Sequence, residues 1–112
     1  MDKRYLKGGI PAITTPFKDD PSLDLSELTT LCRLVIEDGV DGILVNGCTG
    51  ESWAIEPSER DQIFACTVRA AAGKVPVIAG CSGISVKETI AKVRQAEAAG
   101  CDAAMISPPW YI

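Results

Sequence analysis

Residues 46–52, Asn-Gly-Cys-Thr-Gly-Glu-Ser, have the types and spacing of a site for a small anion. Gly47 and Gly50 bracket Cys48 and Thr49, so the backbone can turn sharply and present successive N–H groups together with side-chain donors. A carboxylate suits such a turn because it is planar and is satisfied by two or three donors. The same spacing is also typical of a tight turn after a strand, and the spacing alone leaves both interpretations open. We call residues 46–52 the cradle loop.

The residue counts exclude several other kinds of site. The chain of 112 residues has no histidine, so it can build neither a Ser-His-Asp or Cys-His catalytic arrangement nor a His-ligated metal centre. No Gly-x-Gly-x-x-Gly or Walker phosphate loop occurs, and we expect no cofactor and no metal. The five cysteines form no Cys-x-x-Cys pair and indicate free thiols in a reducing compartment. With a net charge of −4 and no long apolar stretch, we expect a cytoplasmic protein that binds neither nucleic acid nor membrane.

Hydrophobic periodicity predicts the elements that must position the cradle loop. Three segments with an apolar stripe at helical spacing predict helices over about 24–38, 57–72 and 86–99. Asp24 and Ser85 are expected to cap the first and third helices, Pro57 to begin the second, and a glycine to end each helix. Short apolar runs without polar alternation predict buried parallel strands at 10–15, 42–45, 75–79 and 103–106. The helix-to-strand corners 39–42 and 100–103 repeat one pattern, Gly-x-Asp-small, two units apart.

Four parallel strands with three helices fit two architectures. One is an open doubly wound sheet, and the other is the N-terminal half of a (β/α)8 TIM barrel, an α/β fold that needs about 250 residues. The apolar, aromatic run 108–112 is an unusual chain terminus, and an uncovered fourth strand would invite association. We therefore expect residues 1–112 to be a single unit, a partial barrel truncated after its fourth strand.

The cradle loop is accompanied by three further segments that occur in one known family. Together with Thr15-Pro16-Phe17, Val77-Ile78-Ala79-Gly80 and Pro109-Trp110-Tyr111, it resembles the dihydrodipicolinate synthase / N-acetylneuraminate lyase family across residues 9–112. The resemblance implies a (β/α)8 barrel and a class I aldolase-type lyase. In that family, a lysine forms a Schiff base with pyruvate or another 2-oxo acid, whose carbonyl then serves as an electron sink.

Carried over by position, the resemblance assigns roles to five residues. Cys48 and Thr49, with the backbone between Gly47 and Gly50, would bind the carboxylate of the oxo acid. Cys48 would also join a tyrosine proton relay, and Tyr111 would reach across a dimer interface into the neighbouring site. The less favoured alternative is that Tyr111 is a plain aromatic residue near a strand end. The resemblance implies a homodimer or homotetramer for the full-length protein.

The sequence departs from the family at the nucleophile and at neighbouring positions. Cys48 stands where the family has Thr or Ser, and a thiol is a weak hydrogen-bond partner. Trp110 and Ile84 replace residues near the lysine-feedback pocket of several synthases, so we expect no such feedback. The family's Schiff-base lysine comes from a sixth strand, beyond residue 112, and we expect no nucleophilic lysine in this chain. Lys92 is interpreted as a residue of a surface helix.

The expected activity of the parent protein is therefore that of 4-hydroxy-tetrahydrodipicolinate synthase, which condenses pyruvate with aspartate semialdehyde in lysine biosynthesis. The 112-residue chain alone is expected to be inactive. Two alternatives remain open. One is a paralogue such as N-acetylneuraminate lyase or a 2-keto-3-deoxy sugar acid aldolase or dehydratase. The other is a non-catalytic, truncated binding module.

Overall fold

The computed structural model describes residues 6–108, which form alternating helices and parallel strands. The elements in chain order are α1 (Leu25–Glu37), β1 (Ile43–Val45), α2 (Pro57–Ala71), β2 (Val77–Gly80), α3 (Val86–Ala99) and β3 (Ala103–Met105), with a short 3₁₀ turn at Ser52–Ala54. The three predicted helices are present, and their bounds lie within one residue of those expected.

Local capping explains where the helices begin and end. The side chains of Asp24 and Ser85 each accept a backbone N–H from the first turn of α1 and α3 at 3.0 Å. Gly39 and Gly100 follow α1 and α3 with φ values of 93° and 88°, the left-handed conformation that glycine adopts without steric cost. Helix α2 ends one residue earlier than predicted, because Ala72 already has a left-handed φ of 49°.

The strands form a parallel sheet in the order β1-β2-β3. The predicted first strand at 10–15 is reduced to a single parallel bridge between Ala12 and Leu44, with Ile13 N–H donating to Leu44 O at 3.0 Å. Pro11 limits this segment, because a proline accepts from the neighbouring strand but has no N–H to donate. Of the four predicted strands, the last three are present, and the first is only a short edge segment.

The order of these elements distinguishes the two candidate architectures. The edge segment, β1, β2 and β3 follow one another across the sheet in chain order, without the reversal that marks a doubly wound sheet. Helix α2 packs against both α1 and α3, as expected when all three crossovers lie on one face. This is the arrangement of consecutive βα units in a TIM barrel.

Two aspartates form hydrogen bonds with the backbone at the beginnings of the strands. Asp41 N–H donates to Gly9 O at 2.8 Å, and its carboxylate accepts the N–H of Gly9 at 2.7 Å. Asp102 makes the same pair of bonds with Val77, at 2.8 and 2.9 Å. The repeated Gly-x-Asp-small corner thus has one function in both places. The aspartate pairs with the backbone of the preceding segment just before its own strand begins.

The core lies between the sheet and the helices and includes most of the thiols. Its fully buried side chains include Leu28, Cys32, Ile43, Val45, Ile63, Phe64, Val77, Ala79 and Cys81. All five cysteines are free, and only Cys48 is exposed. Burial raises the pKa of Cys32 to about 11 and that of Cys101 to about 12. Four cysteines therefore lie within or beside the packed interior, and Cys48 stands apart from them.

Candidate functional site

The cradle loop is a compact turn at the carboxyl end of β1. The N–H of Glu51 donates to Cys48 O at 2.9 Å, and the N–H of Ser52 donates to Gly47 O at 3.2 Å. The left-handed backbone needed for the turn lies at Asn46 and Glu51, with φ values of 59° and 57°. The loop is thus folded by its own backbone, and its two left-handed residues are not glycines.

The two bracketing glycines therefore have a different function from the one predicted. Neither Gly47 nor Gly50 has a positive φ. A Cβ on Gly50 would come within 3.1 Å of Thr15 Oγ1 and 3.3 Å of Asn46 N, so this glycine permits a close approach of two segments. A Cβ on Gly47 would meet nothing closer than the Leu44 side chain at 3.5 Å, an ordinary contact. Of these two glycines, Gly50 is the one at which a Cβ would force its neighbours to shift by a few tenths of an ångström.

The cradle loop leaves backbone donors available. Within residues 6–108, the N–H groups of Cys48, Thr49 and Gly50 have no hydrogen-bond partner. Cys48 and Thr49 are exposed and Gly50 is buried, at the end of the sheet where parallel βα folds bind ligands. Three consecutive free N–H groups can bind a small anion.

Two long-range hydrogen bonds hold the cradle loop in place. Thr15 Oγ1 donates to Gly50 O at 2.6 Å, and Asn46 Nδ2 donates to Gly80 O at 3.0 Å, both in buried surroundings. Gly80 permits the second contact, since a Cβ there would lie 2.6 Å from the carbonyl carbon of Asn46. The loop after β1 is therefore fixed by the edge segment on one side and by the end of β2 on the other.

A cavity of about 520 Å³ opens beside the cradle loop, between the loops that follow β1, β2 and β3. Gly47 and Cys48 line it, together with Asn46, Trp53, Ile84 and Lys92. Thr49 and Gly50, which were predicted to bind the same carboxylate, do not line this cavity. Tyr111, the predicted relay residue, lies outside the described residues.

Lys92 belongs to the capped and mostly exposed helix α3, as predicted, but its own side chain is buried. The residue is 6% exposed, and its Nζ donates to Ser82 O at 2.7 Å and lies 3.0 Å from Glu88 Oε1. The hydrogen bond from Lys92, together with one from Ile84 N–H, lowers the pKa of the Glu88 carboxyl. The aliphatic stem of Lys92 is buried while its ammonium group reaches the loop after β2. An amine held in this way does not supply the free nucleophile that a Schiff base needs.

Two residues of the site, Asn46 and Lys92, had no role assigned to them from the sequence. Asn46 follows the strand at a position where asparagine is one of the few residues that tolerate positive φ. Lys92 lies four residues after Glu88, the spacing of a helical ion pair. Within the part of the chain that the structure describes, no group of His, Cys, Asp and Glu side chains could hold a metal ion. No helix there is long and apolar enough to cross a membrane.

Comparison with known proteins identifies the family. The family model described as the dihydrodipicolinate synthetase family matches residues 5–112. The chain belongs to this family. Its relatives include a 4-hydroxy-tetrahydrodipicolinate synthase of Roseobacter denitrificans, 43% identical over 94% of this chain and 36% of that protein. An uncharacterized DapA-like lyase of Rhizobium meliloti is 38% identical over 91% of this chain and 34% of that protein.

Solved structures of family members confirm the partial-barrel fold. Dihydrodipicolinate synthase from Aquifex aeolicus matches with a TM-score of 0.90 and 35% identity, over 95% of this chain and 36% of that one. YagE, a prophage protein of the same family from Escherichia coli K12, solved in complex with pyruvate, also has a TM-score of 0.90. It is 31% identical over 96% of this chain and 36% of that one. The chain thus spans about a third of the length of these relatives and corresponds to the N-terminal part of their barrel.

Proposed function

We propose that this chain is the 2-oxo-acid-binding part of a longer Schiff-base lyase, which we call the full-length protein. The observation that carries the proposal is the set of N–H groups at Cys48, Thr49 and Gly50 that find no partner among residues 6–108. They lie on a loop fixed from both sides, at the end of the sheet where such folds bind substrates. A preorganised set of backbone donors can bind a carboxylate with little loss of conformational entropy.

The nucleophilic lysine is proposed to lie in the remainder of the full-length protein. Among the described lysines, Lys92 alone lines the cavity, and its amine is already held by Glu88 and Ser82. Lys18 is exposed in the loop before α1, and Lys74 lies at the opposite end of the sheet, just before β2. The resemblance to the family places the lysine on a sixth strand. The 112-residue chain alone would then bind the substrate carboxylate without forming a covalent adduct.

Cys48 is proposed to replace a hydroxyl residue in a proton relay that also includes Tyr111. The thiol is exposed and lines the cavity beside Gly47, so it is placed to contact a bound oxo acid. A thiol donates and accepts hydrogen bonds more weakly than a hydroxyl group does. The relay would therefore be weaker than in a family member with Thr or Ser here, while the backbone donors would be unaffected.

The reaction proposed for the full-length protein is condensation of pyruvate with aspartate semialdehyde, as in 4-hydroxy-tetrahydrodipicolinate synthase. The relatives at 42–43% identity that carry this name support it. A paralogue acting on sugar acids is the second candidate, favoured by Cys48 and by Trp53, whose 70% exposed side chain lines the cavity. Turnover of aspartate semialdehyde, compared with that of 2-keto-3-deoxy sugar acids, separates these two candidates.

Borohydride trapping tests the proposal against the non-catalytic alternative. With pyruvate and borohydride, we expect a reduced covalent adduct on a lysine of the full-length protein and none on the 112-residue chain. Cys48→Ser restores a hydroxyl group and should still form the adduct, because the backbone donors are unchanged. Absence of an adduct on the full-length protein would reject the lyase. An adduct on the 112-residue chain would reject the proposed position of the nucleophile.

A further inference from the structure

An ion pair on helix α3 holds the loop after β2, residues 82–85. Lys92 Nζ donates to Ser82 O at 2.7 Å, and the Glu88 carboxylate accepts the N–H of Ile84 at 3.1 Å. The ammonium and carboxylate groups lie 3.0 Å apart. Each charged group therefore bonds both its partner charge and one backbone group of the loop. The cation bonds a carbonyl group and the anion bonds an N–H, as their donor and acceptor chemistry requires.

The loop lies directly against the helix, and the lysine that holds it is buried. A Cβ on Gly83 would come within 3.0 Å of Glu88 Cδ and of Thr89 Oγ1. Lys92 is 6% exposed, whereas Lys87 of the same helix is exposed. Burying an ammonium group is unfavourable unless it is paired and hydrogen-bonded, and Lys92 has both kinds of partner. Lys92 is therefore bound into the structure of this loop.

A second hydrogen bond extends this contact to the segment after β3. Ser82 Oγ accepts the N–H of Ser107 at 2.9 Å. Residues 82–84 and Ser107 line the same cavity as the cradle loop, and we call them the serine wall. Because Lys92 bonds the carbonyl group of Ser82, a continuous chain of bonds runs from α3 through Ser82 to Ser107.

The serine wall and the cradle loop are held by separate contacts. The cradle loop is anchored by the bonds from Thr15 to Gly50 and from Asn46 to Gly80, and neither includes Lys92. Loss of the Lys92 ammonium group should therefore loosen the wall and leave the backbone donors of the cradle loop in place.

We propose that Lys92 is a positioning residue, which acts through Ser82 to hold the serine wall beside the reacting end of the bound 2-oxo acid. The cradle loop would bind the carboxylate, and the serine wall would orient the rest of the molecule. Reaction rates depend steeply on such orientation, whereas binding of the carboxylate does not depend on this wall. This inference rests on the proposed function and adds a positioning residue to it.

The rate of adduct formation in the full-length protein tests the inference. Pyruvate is mixed with each variant well below its melting temperature, and samples are quenched with borohydride at increasing times. Lys92→Met keeps an apolar side chain and removes the ammonium group. We expect its rate at saturating pyruvate to fall by about 10-fold, while the half-saturating concentration changes by less than about 2-fold. The matched control, Lys87→Met, replaces an exposed lysine and should equal the wild type in both.

Ser82→Ala separates this positioning from stability. It keeps the carbonyl group that Lys92 bonds and removes only the acceptor of the Ser107 N–H. Its saturating rate should also fall, and the double variant should be no slower than the slower single variant, since both changes break one chain of bonds. A wild-type saturating rate in either single variant would overturn the inference. Losses that multiply in the double variant, or a loss in Lys92→Met that appears only in half-saturation, would overturn it as well.

Failure of the proposed function is visible in the same experiment. If the wild type forms no adduct with pyruvate, the Schiff-base lyase itself is rejected and the inference with it. If the wild type forms the adduct and both variants form it equally fast, only the role of Lys92 is rejected. Circular dichroism of each variant shows that a changed rate comes from a folded protein.

Discussion

Replacing Gly80 by alanine tests whether the end of β2 holds the cradle loop in place. A Cβ on Gly80 would lie 2.6 Å from the carbonyl carbon of Asn46 and 2.9 Å from the nitrogen of Gly47, and closer still to the Asn46 carbonyl oxygen. These are backbone atoms, so no side chain can rotate away to make room. The two segments must therefore move apart, because real Cβ atoms essentially never come within 3.0 Å of such atoms.

The cost of this separation can be estimated from the structure. Overpacking of this kind costs about 1–3 kcal/mol, and the bond from Asn46 Nδ2 to Gly80 O contributes about 1 kcal/mol more. We expect Gly80→Ala to lower the free energy of unfolding of the full-length protein by about 3 kcal/mol. It should also weaken pyruvate binding, because the N–H groups of Cys48 and Thr49 move with the loop.

Gly47→Ala is the matched control. Gly47 lies in the cradle loop itself and, like Gly80, has no positive φ. Its Cβ would meet nothing closer than a side chain at 3.5 Å, so its free energy of unfolding should stay within about 0.5 kcal/mol of the wild type. Urea unfolding followed by circular dichroism measures stability, and borohydride trapping at increasing pyruvate concentration measures binding. Equal urea midpoints and equal half-saturation for the two variants would refute the reasoning.

Three further predictions concern the structure around the site. Asp102→Ala should lower the free energy of unfolding, measured in urea, by about 1–2 kcal/mol, because the N–H of Val77 loses its acceptor. Asp102→Asn keeps an acceptor and should lower the free energy of unfolding by less. Lys92→Met should lower the melting temperature by several degrees, and the exposed control Lys87→Met should not. Equal melting temperatures would contradict a stabilising role for the buried Lys92 ammonium group and its bonds to Ser82 and Glu88. Burial raises the pKa of Cys32, so its thiol is neutral at pH 8 and should resist iodoacetamide. Exposed Cys48 should react, and mass spectrometry of the treated folded protein measures the difference.

The helices, and the alternation of helices and strands along the chain, could be predicted because their signals are local. A capping side chain such as Asp24 or Ser85 acts within one turn, and a glycine such as Gly100 ends a helix by its own conformation. The strand signal was weaker at 10–15. Pro11 has no N–H for the ladder, and the segment pairs with β1 through a single bridge. Apolar runs predict which segments are buried but not how many hydrogen bonds they make.

Long side chains were harder to place, because their direction depends on what surrounds the helix. Lys87 and Lys92 belong to the same helix and have the same chemistry, yet Lys87 is exposed and Lys92 is buried. The difference comes from the loop after β2, which offers Ser82 O as an acceptor beside the carboxylate of Glu88. That acceptor is ten residues away in sequence and belongs to no pattern of the helix itself.

The cradle loop itself could be found from the sequence, whereas the contacts that hold it could not. Its anchoring bonds join residues 34 and 35 positions apart, Asn46 to Gly80 and Thr15 to Gly50. Such pairs meet only because parallel strands in chain order bring their carboxyl ends to one edge of the sheet. The glycine that most restricts the loop, Gly80, therefore lies outside it. It follows that transferring residues 46–52 to another βα scaffold should transfer the backbone donors only if the next strand also ends in glycine.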